Sequence, residues 1–144
     1  MTTKRTGLPE FWTTSLAKVL VGDQSCYLEP WMKSRFKLEK RAGDEGSLAK
    51  WKAEHSALLR EVVERFQGDG WKCTVESYFK AKGAAANVAG KADLIIQKTD
   101  MRPVIVDAKS GSPKDSDVAQ VMIEMILIPM AWEKRMIFSG LVDA

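Results

Sequence analysis

The sequence of 144 residues predicts an α/β fold, in which helices flank a central mixed β-sheet and the N-terminal part is helical. The first observation is a pair of short β-branched runs, 94–96 and 104–106, separated by a polar bend that contains Pro103. Two such runs close together are typical of a β-hairpin. The second observation is an amphipathic helical pattern before the hairpin and an apolar helical pattern after it, followed by a last strand. A helix that returns the chain to the sheet in this way favours an α/β layer.

Three segments in the first half of the chain are predicted to be helices. Residues 9–21 place apolar side chains at helical spacing and are followed by Gly22. Residues 27–41 are amphipathic and are followed by a linker at 42–46. A long helix is expected over 47–67, with its apolar stripe turned inward.

The second half of the chain alternates strand and helix patterns. In order, we predict a strand at 71–80, a mobile small-residue loop at 82–90, the hairpin, a buried helix capped by Asp115 or Ser116 that extends to about residue 133, and a last strand at 135–142. No internal repeat or low-complexity segment divides the chain. We therefore predict one domain over 1–144, composed of a basic helical N-terminal part at 1–46 and a core at 47–144, where the candidate catalytic residues described below lie.

Composition excludes several classes of protein. The chain begins without an apolar signal-peptide region, and its longest apolar run is interrupted by Glu124 and Pro129, so a cytoplasmic protein without a membrane partner is expected. Cys26 and Cys73 are the only cysteines, which is too few for an iron–sulfur cluster with four cysteine ligands. A net charge of +3 is only weak evidence for a polyanionic partner.

Charged residues flank the two runs of the predicted hairpin. Asp93 precedes the first run, and Asp107 and Lys109 follow the second. In an antiparallel hairpin the start of one strand lies beside the end of the next, so these side chains are expected to meet. Two carboxylates with an ammonium group beside them favour a divalent-metal site, although such residues also form ordinary turns and salt bridges.

Further donors are expected near this acidic pair. His55 lies on the inward face of the long helix, where it is either a metal ligand or a packed core histidine. The backbone carbonyl of Ala108 is a possible fourth ligand, and Lys109 is placed to orient a water molecule and neutralise phosphoryl oxygens. Gln120, in the following helix, is placed to hydrogen-bond water, Lys109 or nucleic acid. This donor set suits Mg²⁺ or Mn²⁺.

A basic segment in the N-terminal part favours a nucleic-acid partner. Its two aromatic residues, Trp31 and Phe36, are interleaved with five positive charges: Lys33, Arg35, Lys37, Lys40 and Arg41. Basic residues that neutralise phosphates, combined with aromatic groups that stack on bases, are typical of DNA-binding surfaces. A solvated amphipathic helix explains the same pattern, so both interpretations stay open at this point.

The order of these pieces resembles the PD-(D/E)xK nuclease superfamily, and within it the branch of the RecB nuclease domain and Cas4-like proteins. The resemblance extends over residues 48–140. The matching pieces are the helical histidine His55, a G-x-x-D-hydrophobic strand at 90–95, a hydrophobic-(D/E)-x-K strand at 104–109, the start of the glutamine motif at Gln120, and a closing strand at 138–142. A further match is Glu76, at a position that is often acidic in this branch.

The resemblance implies a restriction-endonuclease-like core and metal-dependent hydrolysis of DNA phosphodiester bonds, most often by an exonuclease acting on single strands or ends. It implies that His55, Asp93, Asp107 and the Ala108 carbonyl bind Mg²⁺ or Mn²⁺ and that Lys109 is catalytic. The alternatives are a nucleic-acid-binding module without catalysis and a sequence-specific restriction-type endonuclease.

This chain departs from the family pattern in two ways, and one matching residue has two interpretations. Glu124 stands where the glutamine motif usually has tyrosine, and the cluster cysteines of some members are absent. Glu76 either pairs with Lys91 or Lys80, or lies in the outer surroundings of the metal.

Overall fold

The structure is a computed structural model that describes residues 2–39, 43 and 45–144. Its elements in chain order are β1 Thr3–Lys4, β2 Glu10–Trp12, α1 Thr13–Leu20, α2 Leu28–Arg35, β3 Phe36–Lys37, α3 Glu45–Gly68, β4 Lys72–Lys82, β5 Asn87–Gln97, β6 Val104–Ala108, α4 Asp115–Ala131 and β7 Ser139–Asp143. The fold is α/β, with a mixed sheet flanked by helices, as the sequence predicts.

Strand β5 organises the main sheet. It pairs antiparallel with β4 from Asn87 to Gln97, except at Asp93. On its other side, the first residues pair in parallel with β2, and Leu94 to Ile96 pair antiparallel with β6. Helix α4 connects β6 to β7, and β7 pairs in parallel with β6 at the edge of the sheet. The predicted hairpin is therefore present as β5 and β6, and β1 and β3 form a separate small ribbon.

The two longest helices pack on opposite faces of the sheet. Helix α3 covers an apolar cluster to which it contributes Leu59 and Val62 and β5 contributes Leu94 and Ile96. Helix α4 covers a second cluster, centred on Phe79, Ile95, Ile105, Val121, Ile128 and Phe138. Burying apolar surface on both sheet faces explains why the strands carry nearly continuous β-branched runs.

Tertiary pairing changes several predicted boundaries. Residues 10–12 form β2 because they pair beside β5, so α1 begins only at Thr13. The predicted mobile loop at 82–90 is mostly strand, because β4 and β5 are joined by a tight turn in which the Gly83 N–H donates to the Ala86 carbonyl. Helix α2 ends at Arg35, where the chain becomes extended to pair with β1.

The two long helices are less buried than their sequences predict. In α3, Trp51 belongs to the apolar stripe that the helical pattern turns inward, but it is 58% exposed. Helix α4, predicted to be buried all round, exposes an apolar stripe of Val118, Met122, Ile126 and Met130. Its N-cap is Lys114 rather than Asp115 or Ser116, and the Asp117 carboxylate accepts the Lys114 backbone N–H.

A close approach at Gly90 gives a prediction about stability. A Cβ atom there would lie 2.4 Å from Thr13 Oγ1 and 2.8 Å from the Phe79 ring. Because both neighbours are buried, we expect Gly90→Ala to destabilise the protein by about 1–3 kcal/mol in urea unfolding. Gly68→Ala is the matched control, since nothing lies within 4 Å of its added Cβ. Equal midpoints for the two variants would contradict the packing described here.

Candidate active site

Asp93 and Asp107 meet at one end of the hairpin. Leu94 pairs with Val106, so the next position of the same register sets Asp93 opposite Asp107. The Asp93 Oδ2 atom accepts the backbone N–H of Ala108 at 3.1 Å. This bond closes the end of the ribbon through a side chain, which orients one carboxylate and leaves its second oxygen for other partners.

The strand alternation is interrupted at Asp93. Ala92 packs in the cluster beneath α4, whereas Leu94, two residues further on, packs in the cluster beneath α3. A regular strand places both residues on one face. On β4 the opposite residue is Glu76, which has a φ of 50° and takes no part in the otherwise continuous ladder. A left-handed backbone conformation at a residue other than glycine costs free energy. Here it accompanies the change of sheet face beside the acidic pair.

Asp107 is the most deeply buried member of the pair, at 2% exposure. Among the described residues its Oδ2 atom accepts no hydrogen bond. The pKa of Asp107 is raised to about 7, mainly by burial; the charge of Lys109 opposes this rise, and the nearby Asp93 carboxylate contributes to it. The Lys109 ammonium lies 3.4 Å from this oxygen but does not form a well-aligned hydrogen bond with it, so the buried charge is only partly compensated and the atom can accept a further cationic ligand.

Lys109 lies between two carboxylates. Its Nζ atom is 3.4 Å from Asp107 Oδ2 and 3.5 Å from Asp117 Oδ1. Burial lowers the pKa of Lys109, but Asp107, Asp117 and Asp93 together outweigh it, so the net shift is upward. The side chain therefore stays a cation at the acidic end of β6.

His55 approaches the pair from α3. Its Nε2 atom lies 3.5 Å from Asp93 Oδ1, and its ring stacks on Trp51 with centroids 5.2 Å apart. The side chain is partly exposed and belongs to neither apolar cluster. The structure thus brings His55 to the acidic pair rather than into the packed core.

Gln120 and Glu124 approach from α4. The Gln120 Nε2 atom donates to Glu124 Oε1 at 3.3 Å, and both side chains are buried. Burial raises the pKa of Glu124 to about 8; the bond from Gln120 opposes this rise, and the charges of Asp107 and Asp93 add to it. From the sequence, Glu124 was noted as an interruption of the apolar run and as a departure from tyrosine, and not as a member of the site. The missed signal is an acidic residue one turn after glutamine inside an apolar helix, which needs a polar partner on the inner face.

Glu76 and the basic N-terminal residues lie further out. Glu76 Oε1 is 3.0 Å from Lys91 Nζ, one of the two lysines that the sequence offered as partners. Lys33 is paired with Glu29, and the Arg35 guanidinium lies 5.9 Å from the centre of the Trp31 ring. None of the predicted DNA-binding residues that the structure describes lines the acidic cavity. Lys33 and Lys37 instead line a separate groove of about 980 Å³ that shares Trp12 with that cavity, and Lys40 and Arg41 lie outside the described residues.

The acidic pair opens into a cavity of about 450 Å³, here called the acidic cavity. Its lining is Trp12, Thr14, Trp51, Lys52, His55, Ser56, Glu76, Lys91, Asp93, Asp107, Lys109 and Gln120. Helix α3, the sheet and the start of α4 each contribute, so residues far apart in sequence converge there. Two aromatic side chains, Trp12 and Trp51, stand exposed at its edge.

The donors of this cavity fit a hard divalent cation chemically. Two carboxylates, one with a buried oxygen that accepts no hydrogen bond, and a nearby imidazole are ligands that Mg²⁺ or Mn²⁺ accepts. Their present spacing is looser than a metal site: over residues 2–39, 43 and 45–144, no three His, Cys, Asp or Glu side chains are grouped closely enough to hold an ion.

In comparisons with known proteins, no family model, no curated protein and no solved structure matches this chain. Within the described residues, no helix has both the length and the apolar character needed to cross a bilayer. The geometry of the acidic cavity is therefore the basis for assigning a function.

Proposed function

We propose that the protein is a Mg²⁺- or Mn²⁺-dependent deoxyribonuclease that hydrolyses phosphodiester bonds. The observation that carries this proposal is the acidic pair with Lys109 beside it: the Asp107 Oδ2 atom is buried, accepts no hydrogen bond and lies 3.4 Å from an ammonium group. A site that holds a cation through carboxylates and offers a lysine to a phosphate is suited to phosphodiester hydrolysis.

Each residue has a defined part in this proposal. Asp93, Asp107, His55 and the Ala108 carbonyl would hold the cation, which when bound supplies charge neutralisation at the scissile phosphate and acidifies a nearby water molecule. Lys109 orients that water and neutralises a phosphoryl oxygen. Gln120 presents its amide to the substrate or the water, and Glu124 fixes the amide from behind.

The fold supports the same proposal. Three placements support it: His55 lies on helix α3, Asp93 and Asp107 lie on adjacent antiparallel strands, and Gln120 lies on the crossover helix α4. A mixed sheet between two helices agrees with a restriction-endonuclease-like core, so we propose that core and the RecB and Cas4-like branch for this chain.

The cavity edge favours single-stranded DNA or strand ends as the substrate. Trp12 and Trp51 are exposed there, and Tyr78 lies with its ring centre 6.2 Å from that of Trp12. Exposed aromatic rings stack on unpaired bases regardless of sequence, while lysines follow the phosphates. Lys52 and Lys91 line the same cavity. These features suit an exonuclease more than an enzyme that reads base pairs.

Replacement of Lys109 tests this proposal. We expect the wild-type protein to cleave end-labelled single-stranded DNA with Mg²⁺ or Mn²⁺ and not with EDTA, and Lys109→Ala to reduce the rate by about 10²–10³-fold. The control is Lys72→Ala, which removes an exposed lysine outside the cavity. Cleavage that persists in EDTA or in Lys109→Ala would overturn the proposal.

A second candidate is a nucleic-acid-binding module without catalysis. The loose spacing of the donors and the acidic Glu124 at the tyrosine position favour it. It predicts salt-sensitive DNA binding, no turnover, and binding that is unchanged in Asp107→Ala. Loss of a measured cleavage activity in that variant would exclude this candidate.

A further inference from the structure

A second cavity, of about 360 Å³, adjoins the acidic cavity, and we call it the lysine–serine cavity. The two cavities share Thr14, Trp51, Lys109 and Gln120 as lining residues. They are therefore neighbouring compartments of one surface, and these four residues lie along their common border. A polymer that enters one compartment from the other would pass over these residues.

The lysine–serine cavity is strongly cationic. Three lysines line it, Lys18 from α1, Lys109 from the end of β6 and Lys114 at the start of α4. The single carboxylate in its lining, Asp117, is already engaged, since it accepts the Lys114 backbone N–H and lies 3.5 Å from Lys109 Nζ. Within the described residues neither Lys18 nor Lys114 forms a close side-chain ion pair; the carboxylate that faces Lys18 is Glu29, which lines a small groove with it and is already paired with Lys33. The cavity thus has an unbalanced positive charge.

Hydroxyl groups complete the lining. Ser110, Ser112, Ser116 and Thr14 provide small donors between the lysines. Hydroxyl and ammonium donors without competing acceptors are the groups that bind phosphate oxygens in proteins. The charge balance distinguishes this compartment from the acidic cavity, where three lysines are matched by the three carboxylates Glu76, Asp93 and Asp107. One compartment is therefore suited to a cation and the other to an anion.

We infer that the lysine–serine cavity binds the phosphate next to the scissile one along the substrate strand, with Lys18 as its distal cation. This inference rests on the proposed function, because it takes the acidic cavity as the position of the scissile phosphate. The repeating phosphates of one strand are the ligand that places two anions in adjacent compartments. Lys109, on their common border, contacts both phosphates. Lys18 and Lys114 act as substrate-binding residues, and they lie outside every motif that the sequence singled out.

Salt-dependent binding tests the charge contact without requiring turnover. Binding of a short labelled single strand is measured by fluorescence anisotropy in EDTA over a series of salt concentrations. We expect Lys18→Ala to weaken binding and to reduce the slope of log Kd against log salt by about 0.7, the value for one phosphate contact on a single strand. Lys18→Arg keeps the charge and is expected to keep the wild-type slope. A slope that is unchanged in Lys18→Ala would overturn the inference.

Neutral linkages locate the contact. The position of cleavage in a single-stranded substrate is mapped first. Each phosphodiester linkage of that substrate is then replaced in turn by an uncharged methylphosphonate. We expect one linkage adjacent to the cut to raise KM about tenfold in the wild-type protein and to have no added effect in Lys18→Ala, because contact and charge are removed together. If the methylphosphonate raises KM in Lys18→Ala by the same factor as in the wild-type protein, the inference is overturned and the nuclease proposal is left intact. If Lys18→Ala shows the expected change in salt slope but the wild-type protein never cleaves DNA, the nuclease proposal fails and the cavity is retained as a phosphate site.

Discussion

Asp107→Asn is expected to abolish DNA cleavage and at the same time to make the folded protein more stable. The loss of activity follows because Asp107 is the central acidic ligand of the proposed site, and we expect a rate reduction of at least about 10³-fold, the scale of losing an essential polar group. The gain in stability follows from burial. The side chain is 3% exposed, and its charged form has one ammonium group nearby but two other carboxyl groups, Asp93 and Glu124.

The raised pKa of Asp107 determines how the gain in stability depends on pH. The pKa of Asp107 is about 7 in the folded state, above its ordinary value of 3.8, so the fold favours the protonated form. The stability contributed by that form is present below the unfolded pKa and is lost as the pH rises through 7. Asparagine is neutral at every pH and avoids this loss. We expect the variant to be more stable than wild type by on the order of 2 kcal/mol at pH 8 and nearly equal to it near pH 4.

Thermal unfolding followed by circular dichroism at pH 4 and pH 8, together with the cleavage assay, checks both effects. Asp100→Asn is the matched control, since it makes the same change at an exposed bend residue with a left-handed φ of 63°, which asparagine tolerates. Retained cleavage would contradict the proposed site. A Tm below wild type at pH 8 would contradict the burial argument. Activity lost with stability gained is the result that a strained functional site predicts.

Glu124→Gln is expected to remove most of the remaining loss of stability above neutral pH. Burial holds the pKa of Glu124 at about 8, against an ordinary value of 4.5. By the same sign argument, the wild-type protein loses stability as the pH rises toward 8, and a neutral glutamine does not. Glutamine also keeps an oxygen that accepts the Gln120 amide. We expect a gain on the order of 2 kcal/mol at pH 9 and no difference near pH 4.

Urea unfolding at pH 4, 7 and 9 measures this gain, with Glu61→Gln as the control on the exposed side of α3. The double variant Asp107→Asn with Glu124→Gln is expected to gain less than the two single gains added together. The charges of Asp107 and Glu124 raise each other's free energy, and the first substitution already relieves that repulsion. Strictly additive gains would show that the two carboxyl groups are independent. A stability profile of Glu124→Gln parallel to wild type would contradict the burial of its charge.

The positions of the candidate residues that depend on local sequence agree with expectation. Asp93 and Asp107 flank runs that are adjacent in the chain, so hairpin pairing alone brings them together. His55 required one further step, since the period of α3 predicted its face but not the strand it meets. The structure places that face against Asp93. Hairpin and helix patterns predict these positions because few conformations of a short segment satisfy such a pattern.

Local sequence patterns did not predict the contacts between segments that are distant in the chain. Residues 10–12 have no distinctive strand signal, and they become β2 only because the first residues of β5 leave an edge beside them. The inward position of Glu124 also depends on how α4 rotates over the sheet. That rotation buries Gln120 and Glu124 and leaves Met122 and Ile126 exposed. An apolar helix does not specify its rotation when hydrophobic residues lie on all sides.

Sequence alone was sufficient to predict the α/β class, the hairpin and the acidic pair beside a lysine, because each depends on residues within one or two elements. Only the tertiary structure decided which other groups surround that pair. It brought Glu124 behind Gln120, set Trp51 and Trp12 at the cavity edge, and opened the lysine–serine cavity between α1 and α4. The physical reason is that these positions follow from packing of elements against both faces of one sheet, and packing depends on the shape of the whole core rather than on any local pattern.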